Sequence, residues 1–206
     1  DEGQQLLEEA GWYDEDGDGI REAHDVPGIR DDTPLSLTLH LASPYIVTAA
    51  HLSADLEKCG VGVRPQPTET QLLYAADPVS PLFGRSFELA LFGWQVELPQ
   101  VCGAWRSDRI PSEESGWIGE NFSGYTDEAY DRACTRALTS VDPTAQATAL
   151  QEAQTLLKEE MPTLFLTWRP YWFVTRTEVQ GLRPDASASG TIWNIEEVSI
   201  QPQTGD

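Results

Sequence analysis

A run of apolar residues, Phe87, Leu89, Ala90, Leu91 and Phe92, ends at Gly93 and passes directly into Trp94, Gln95, Val96 and Glu97. So short and nearly continuous a stretch is how a strand covered on both faces of an α/β sheet reads. In open sheets of that class the ligand crevice lies outside the carboxyl ends of the strands, which puts Trp94 and Glu97 where a binding site is expected. The plainer alternative is a core strand followed by a surface loop with one half-buried indole.

The residues before this run supply the rest of such a sheet. In LSLTLHL, Leu35, Leu37, Leu39 and Leu41 share one strand face and Ser36, Thr38 and His40 the other. His40 is thus expected to be solvated or hydrogen-bonded, not catalytic. Ser43-Pro44 has the chemistry of a helix start, and Tyr45, Ala49, Leu52, Leu56 and Cys59 recur at helical spacing until Gly60. A packed free thiol is the expectation for Cys59. VGVRPQPT reads as a strand, ETQLLYAAD as a short helix and DPVSPLFGRS as a loop, giving β-α-β order and a sheet with helices packed on it. At the amino end, Gln4 to Trp12 reads as a helix with Leu6, Leu7 and Ala10 inward.

Residues 98–126 lack periodicity, yet Trp105, Trp117, Phe122 and Tyr125 argue against disorder there. Thr126 is read as the cap of a helix with Tyr130, Ala133, Cys134, Ala137 and Leu138 on one side. Asp142-Pro143 opens a second helix, burying Leu150, Ala153, Leu157 and Met161 and stopping at Pro162. TLFLTW, YWFVTRTEV and TIWNIEEVSI are strand-like. With no internal repeat and no linker, residues 1–206 are expected to form one domain.

Thirteen Lys and Arg stand against 34 Asp and Glu, a net charge of −21. That charge repels phosphate backbones and anionic membranes, so nucleic acid is not an expected partner, whereas cationic or zwitterionic ligands are compatible. No apolar stretch approaches the roughly 18 residues of a membrane span. Three cysteines without a C-x-x-C and three scattered histidines fit no zinc motif. The opening DEGQQLLEEAG lacks a basic then apolar leader, which reads as a cytoplasmic protein or a mature fragment.

The sharpest local motif is Asp14 to Glu22, DEDGDGIRE. Alternate carboxylates with glycines can wrap a hard cation: Asp14, Asp16 and Asp18 by side chain, Ile20 by its carbonyl, Glu22 directly or through water. An EF-hand places its hydrophobe and its bidentate Glu elsewhere, so the alternative is a metal-free turn. A bound calcium would be structural, and no cofactor is required. Enzyme signatures are missing: no G-x-S-x-G, P-loop, G-x-G-x-x-G or H-E-x-x-H occurs. Pairs such as Glu113-Glu114 and Glu196-Glu197 read as solvated surface, so the chain is not expected to be an enzyme. What remains is a recognition surface of Trp94, Glu97, Trp105, Asn121 and Tyr125, aromatic walls with fixed polar groups suited to a peptide or small organic ligand.

LLEEAGWYDEDGDGIRE, ADLEKCGVGV, FELALFGW, NFSGYTDEAYDRA, DPTAQATALQEAQTLLKEEMPTLFLTWRP and VQGLRP through IWNIEEV resemble, in order, the carboxyl-terminal lobe of family 5 extracellular solute-binding proteins, the dipeptide and oligopeptide receptors of bacterial ABC importers. The resemblance implies an α/β fold of the periplasmic-binding-protein type II class, a mixed sheet with helices packed on it. It implies a fragment whose amino-terminal lobe is absent from this chain, an ABC permease as partner, and an extracytoplasmic location, periplasmic or cell-surface with a lipid anchor. It also implies that Trp94 lines the pocket, that Glu97 takes the position of an aspartate pairing a peptide's amino terminus, and that Cys102 and Cys134 form a disulfide, leaving Cys59 free. The competing reading is a calcium-stabilised carbohydrate-binding or interaction module.

Overall fold

The structure, a computed structural model, describes residues 2–94, 100–167, 173–185 and 192–201. Helix α1 (Glu2–Glu9) leads into a hairpin of two short strands, β1 (Trp12–Tyr13) and β2 (Glu22–Ala23), with the Asp-Gly loop between them. The helix stops short of the expected Trp12 because Gly11 takes φ +90°, and a β-carbon there would lie 2.5 Å from the His24 carbonyl oxygen. Leu7 packs inward, whereas Leu6, expected inward, is exposed.

The sheet follows. Strand β3 (Ser36–Ala42) passes through a 3-10 turn at Ser43–Tyr45 into α2 (Ile46–Glu57), then come β4 (Gly62–Thr68), α3 (Thr70–Leu73) and β5 (Leu89–Leu91). The strand order is β4-β3-β5 and every pairing is parallel, with Leu37 opposite Val63 and Leu39 opposite Leu89. Pro65 and Pro67 lie in β4, an edge strand, where a missing N–H costs least. Leu39, Leu41, Val61, Val63 and Leu91 meet Ala49 of α2 in one core cluster. Ala90 and Phe92 pack against a second, formed by Ala42, Leu73, Leu82, Phe83 and Phe122. Both faces of β5 are therefore covered, as its apolar run requires. The fold is α/β, with helices on a parallel sheet; among the described residues, antiparallel pairing occurs between β1 and β2, at a single bridge from Glu22 to Pro34, and in a separate ladder near the carboxyl end. His40 sits 3.3 Å from the Thr68 hydroxyl through Nδ1, a hydrogen-bonded position.

Arg21 joins the hairpin to the sheet. Its Nε donates to Cys59 O and its Nη1 to Trp12 O, each at 2.8 Å, and its Nη2 reaches Glu8 at 3.2 Å. Gly60, at φ +86°, lies so close that a β-carbon would meet the Arg21 side chain at 2.6 Å. Cys59 is free and only partly buried.

Helices α4 (Glu128–Thr139) and α5 (Pro143–Glu160) pack on one another and on a 3-10 segment at Gln100–Trp105. Asp127, not Thr126, caps α4, its carboxylate accepting the Tyr130 N–H. A carboxylate at the cap accepts from the third helical N–H and adds a negative charge beside the helix dipole. Asp142 and Pro143 start α5 as expected. Its last turn differs from expectation: Met161 adopts a left-handed φ of 44° and is 58% exposed, outside the core. Cys102 and Cys134 form a disulfide inside the cluster of Tyr130, Ala133, Ala137, Ala149 and Ala153. Tyr130 is buried, donates to Cys102 O at 2.7 Å, and has its pKa held above the ordinary 10.0 by burial, then by the neighbouring Tyr125 and Asp131.

The described parts of the strand-like segments beyond α5 form little strand. Among the described residues only β6 (Val179–Gln180) and β7 (Ser199–Ile200) pair, antiparallel. Leu164, Phe165, Leu166, Phe173 and Val174 stand exposed instead, because strand-forming sequence becomes a strand only where another strand accepts its hydrogen bonds. No helix among the described residues is long and apolar enough to cross a membrane.

Reduction of Cys102–Cys134 is expected to cost about 3 to 4 kcal/mol, from the entropy of closing a loop of this length; denaturant unfolding with and without reductant measures it, and a thiol assay under denaturing conditions should find one thiol per chain. Below pH 10 folded and unfolded chains both keep the Tyr130 proton. Above it the unfolded chain ionises first, so stability should fall with rising pH, less steeply in Tyr130→Phe.

Candidate functional site

Parallel pairing brings the carboxyl ends of all three strands to one edge, and the chain leaving each strand contributes an aromatic ring there. Tyr45 follows β3, Tyr74 follows α3 after β4, and Trp94 follows β5. Trp94 stacks on Tyr74 with ring centroids 6.1 Å apart at 26°, and stands edge-on to Phe122 at 4.9 Å. Phe122, buried, also meets Phe83 at 4.8 Å and Phe92 at 5.5 Å, so the indole rests on a packed aromatic floor. It remains 38% exposed.

Gly93 is the pivot. The Tyr74 hydroxyl donates to Gly93 O at 3.1 Å and accepts from Gly93 N at 3.2 Å, satisfying both backbone groups as the strand ends. Burial, more than any charge, raises the Tyr74 pKa and keeps the phenol neutral for both roles. A β-carbon on Gly93 would lie 2.1 Å from the Tyr45 hydroxyl oxygen, so only glycine admits Tyr45 at this distance. Neither tyrosine is among the site residues expected from the sequence; the signal for both is their place after a sheet strand, Tyr45 just beyond β3 and Tyr74 at the end of the short helix after β4.

The remaining sequence-derived residues divide into two groups. Trp105 and Tyr125 belong to the cluster beneath α4 and α5: the Trp105 ring lies edge-on to Phe165 at 5.2 Å and Tyr125 edge-on to Tyr130 at 5.4 Å. Trp94 packs through Phe122 on the cluster under the sheet edge, and Asn121-Phe122 is the joint between the two clusters. Asn121 is a correction to the expected ligand contact. It is fully buried, its Nδ2 donating to Trp105 O, Arg106 O and Tyr125 O at 3.1, 3.0 and 2.8 Å and its Oδ1 accepting from the Ser123 hydroxyl and Tyr125 N. Every polar capacity of the amide is used in holding the 105–125 loop closed, so none is left for a ligand. Glu97 lies outside the described residues.

In the Asp-Gly loop, carboxylate oxygens of Asp14, Asp16 and Asp18 lie within 4.8 Å of one another. The hard oxygen donors suit calcium in type. They are already engaged by the loop itself: Asp14 accepts from Gly17 and Gly19, Asp16 from Asp18, and Asp18 from Ile20. Glu22 accepts from the Glu15 N–H and stands outside this cluster, so of its two expected roles, direct or through water, the arrangement leaves the one through water.

No family model and no curated protein matches the chain. Solved structures do. An oligopeptide-binding protein from Thermus thermophilus, in complex with a pentapeptide, superposes with a TM-score of 0.78 at 20% identity over 96% of this chain and 34% of that one. The oligopeptide-binding protein AppA of Bacillus subtilis, with a nonapeptide, gives 0.70 at 21% identity, over 97% and 37%. NikZ of Campylobacter jejuni, with Ni(L-His), gives 0.71 at 19% identity, over 95% and 38%. The chain has the fold of part of these binding proteins, in keeping with the sequence resemblance, and spans little more than a third of their length.

Asn121→Ala removes the donor from three backbone carbonyls and the acceptor from one amide, and should lower stability by about 2 to 4 kcal/mol in urea unfolding.

Proposed function

We propose that the chain is one lobe, the carboxyl-terminal one, of a two-lobe solute-binding protein that captures a peptide or other small solute outside the membrane and hands it to an ABC permease. The observation that carries the reading is the aromatic mouth at the carboxyl edge of the sheet, with Trp94 seated on Tyr74 and Phe122 and one part of its ring open. Ligands of open α/β sheets bind at that edge. A Trp held rigid by packing presents a large contact area at little cost in conformational freedom.

Three further observations support it. The similar solved structures are binding proteins, two of them holding peptides. The chain spans about a third of their length, and Leu164, Phe165, Leu166, Phe173 and Val174 are exposed, as expected of a segment that packs against the rest of a longer protein. The disulfide fits an oxidising compartment, periplasm or cell surface. In this account the two lobes close on the ligand, and closure is driven by contacts that exist only in the closed state. Trp94 gives this lobe's apolar contact and Glu97, three residues further on, pairs a ligand ammonium. No step of chemistry is required of either.

The test uses the full-length protein and a small peptide, with and without amino-terminal acetylation. Glu97→Ala should weaken binding of the free-amine peptide by about 2 to 5 kcal/mol, since it leaves a buried ammonium unpaired, and acetylation should have no further effect in that variant. Trp94→Ala should weaken both peptides. Calorimetry finding unchanged affinity in both variants would remove Trp94 and Glu97 from the site and overturn the assignment of the aromatic mouth as the binding surface.

A further inference from the structure

The amino-terminal hairpin assembles a second cluster of metal-ligating groups that no consecutive stretch of sequence reveals. Glu15 lies in the Asp-Gly loop, His24 directly follows β2, and Asp32 ends the turn beyond it. A ring nitrogen of His24 and one carboxylate oxygen each from Glu15 and Asp32 lie within 4.8 Å of one another.

The backbone sets these groups in place. The His24 N–H donates to Gly11 O at 2.7 Å, and its ring stands edge-on to Tyr13 with centroids 5.9 Å apart. The turn after it is drawn back by two hydrogen bonds of 3.0 Å, Asp32 N to Ala23 O and Ala23 N to Thr33 O. Asp25 and Asp32 take left-handed φ values of 53° and 63°, which fold the turn tightly enough to bring Asp32 alongside the imidazole.

His24 Nε2 is the informative atom. It is closed off from solvent and makes no hydrogen bond, although Glu15 Oε1 is 3.4 Å away, a separation at which a hydrogen bond needs nearly linear alignment. A cation between them needs no such alignment. Two ligands held at about 2.0 to 2.1 Å by a tetrahedral zinc ion are about 3.3 to 3.4 Å apart, the separation these two atoms have. The carboxylates of Glu15 and Asp32 are exposed, leaving a path for entry and room for water to complete the coordination.

We propose that Glu15, His24 and Asp32 bind one divalent cation of the zinc class, which ties the Asp-Gly loop to the 25–32 turn. One imidazole with two carboxylates is a borderline donor set, suited to zinc and its first-row neighbours. The all-oxygen cluster of Asp14, Asp16 and Asp18 beside it is of the calcium type. The histidines are as scattered as the sequence suggested; here a single one acts with carboxylates from two other segments. The cation is structural, and the proposal stands whether or not the chain is a receptor lobe.

The test is calorimetry of zinc chloride into the full-length protein without a histidine tag, stripped with chelator and dialysed. Wild type should bind one equivalent that His24→Ala and Asp32→Asn each lose or weaken by more than roughly tenfold, while Asp16→Asn retains it and excess calcium does not displace it. Asp32→Asn keeps a residue that tolerates the left-handed φ and so guards against loss by misfolding. Cobalt in place of zinc should give visible absorption bands that vanish in His24→Ala. No saturable zinc binding below about 1 mM, binding undiminished in His24→Ala and Asp32→Asn, or loss in Asp16→Asn alone would each overturn the assignment.

Discussion

The parallel pairing of β3 with β4 and β5 is the constraint from which the other features follow. Parallel strands need helical crossovers, and crossovers force every strand to end on the same edge. That edge therefore receives whatever residues leave the strands, and here they are Tyr45, Tyr74 and Trp94. Had β5 run antiparallel, Gly93 and Trp94 would lie at the opposite edge, away from both tyrosines. The double hydrogen bond from the Tyr74 hydroxyl to Gly93 then fixes where the last strand stops and the loop begins.

A second constraint comes from a buried amide. The 105–125 loop has almost no regular structure, yet it closes on Asn121, whose side chain joins Trp105, Arg106 and Tyr125 through their backbones. Phe122, the next residue, is the floor under Trp94. The order of this loop thus passes through Phe122 to the partly exposed Trp94 ring. The disulfide between Cys102 and Cys134 anchors the segment that leads into this loop to α4.

Much of this was legible in the sequence because it rests on periodicity. The alternation of Leu35 to Leu41, the apolar run ending at Gly93 and the Asp142-Pro143 helix start all appear where expected, since local pattern and burial agree there. Asn121 was read as a ligand contact because a polar residue among aromatics suits a pocket equally well; only its five hydrogen bonds distinguish the roles. Tyr45 and Tyr74 were hidden by helical spacing, which explains a tyrosine as core and gives no sign that its hydroxyl meets a distant glycine. The segments beyond α5 misled for the opposite reason: their composition favours strands, but strands depend on partners, and composition does not supply one. Glu15, His24 and Asp32 converge through two left-handed residues whose conformation no motif records.

On the proposed reading, the edge beyond Gly93 is the working face and the exposed apolar segment after α5 the face toward the rest of a longer protein. The most direct measurement is a crystal structure of the full-length protein with the ligand it carries through purification. The account predicts the ligand in contact with the open part of the Trp94 ring, with Phe165, Phe173 and Val174 covered by the remainder of the chain. A ligand bound elsewhere, with Trp94 left facing solvent in the closed protein, would contradict it.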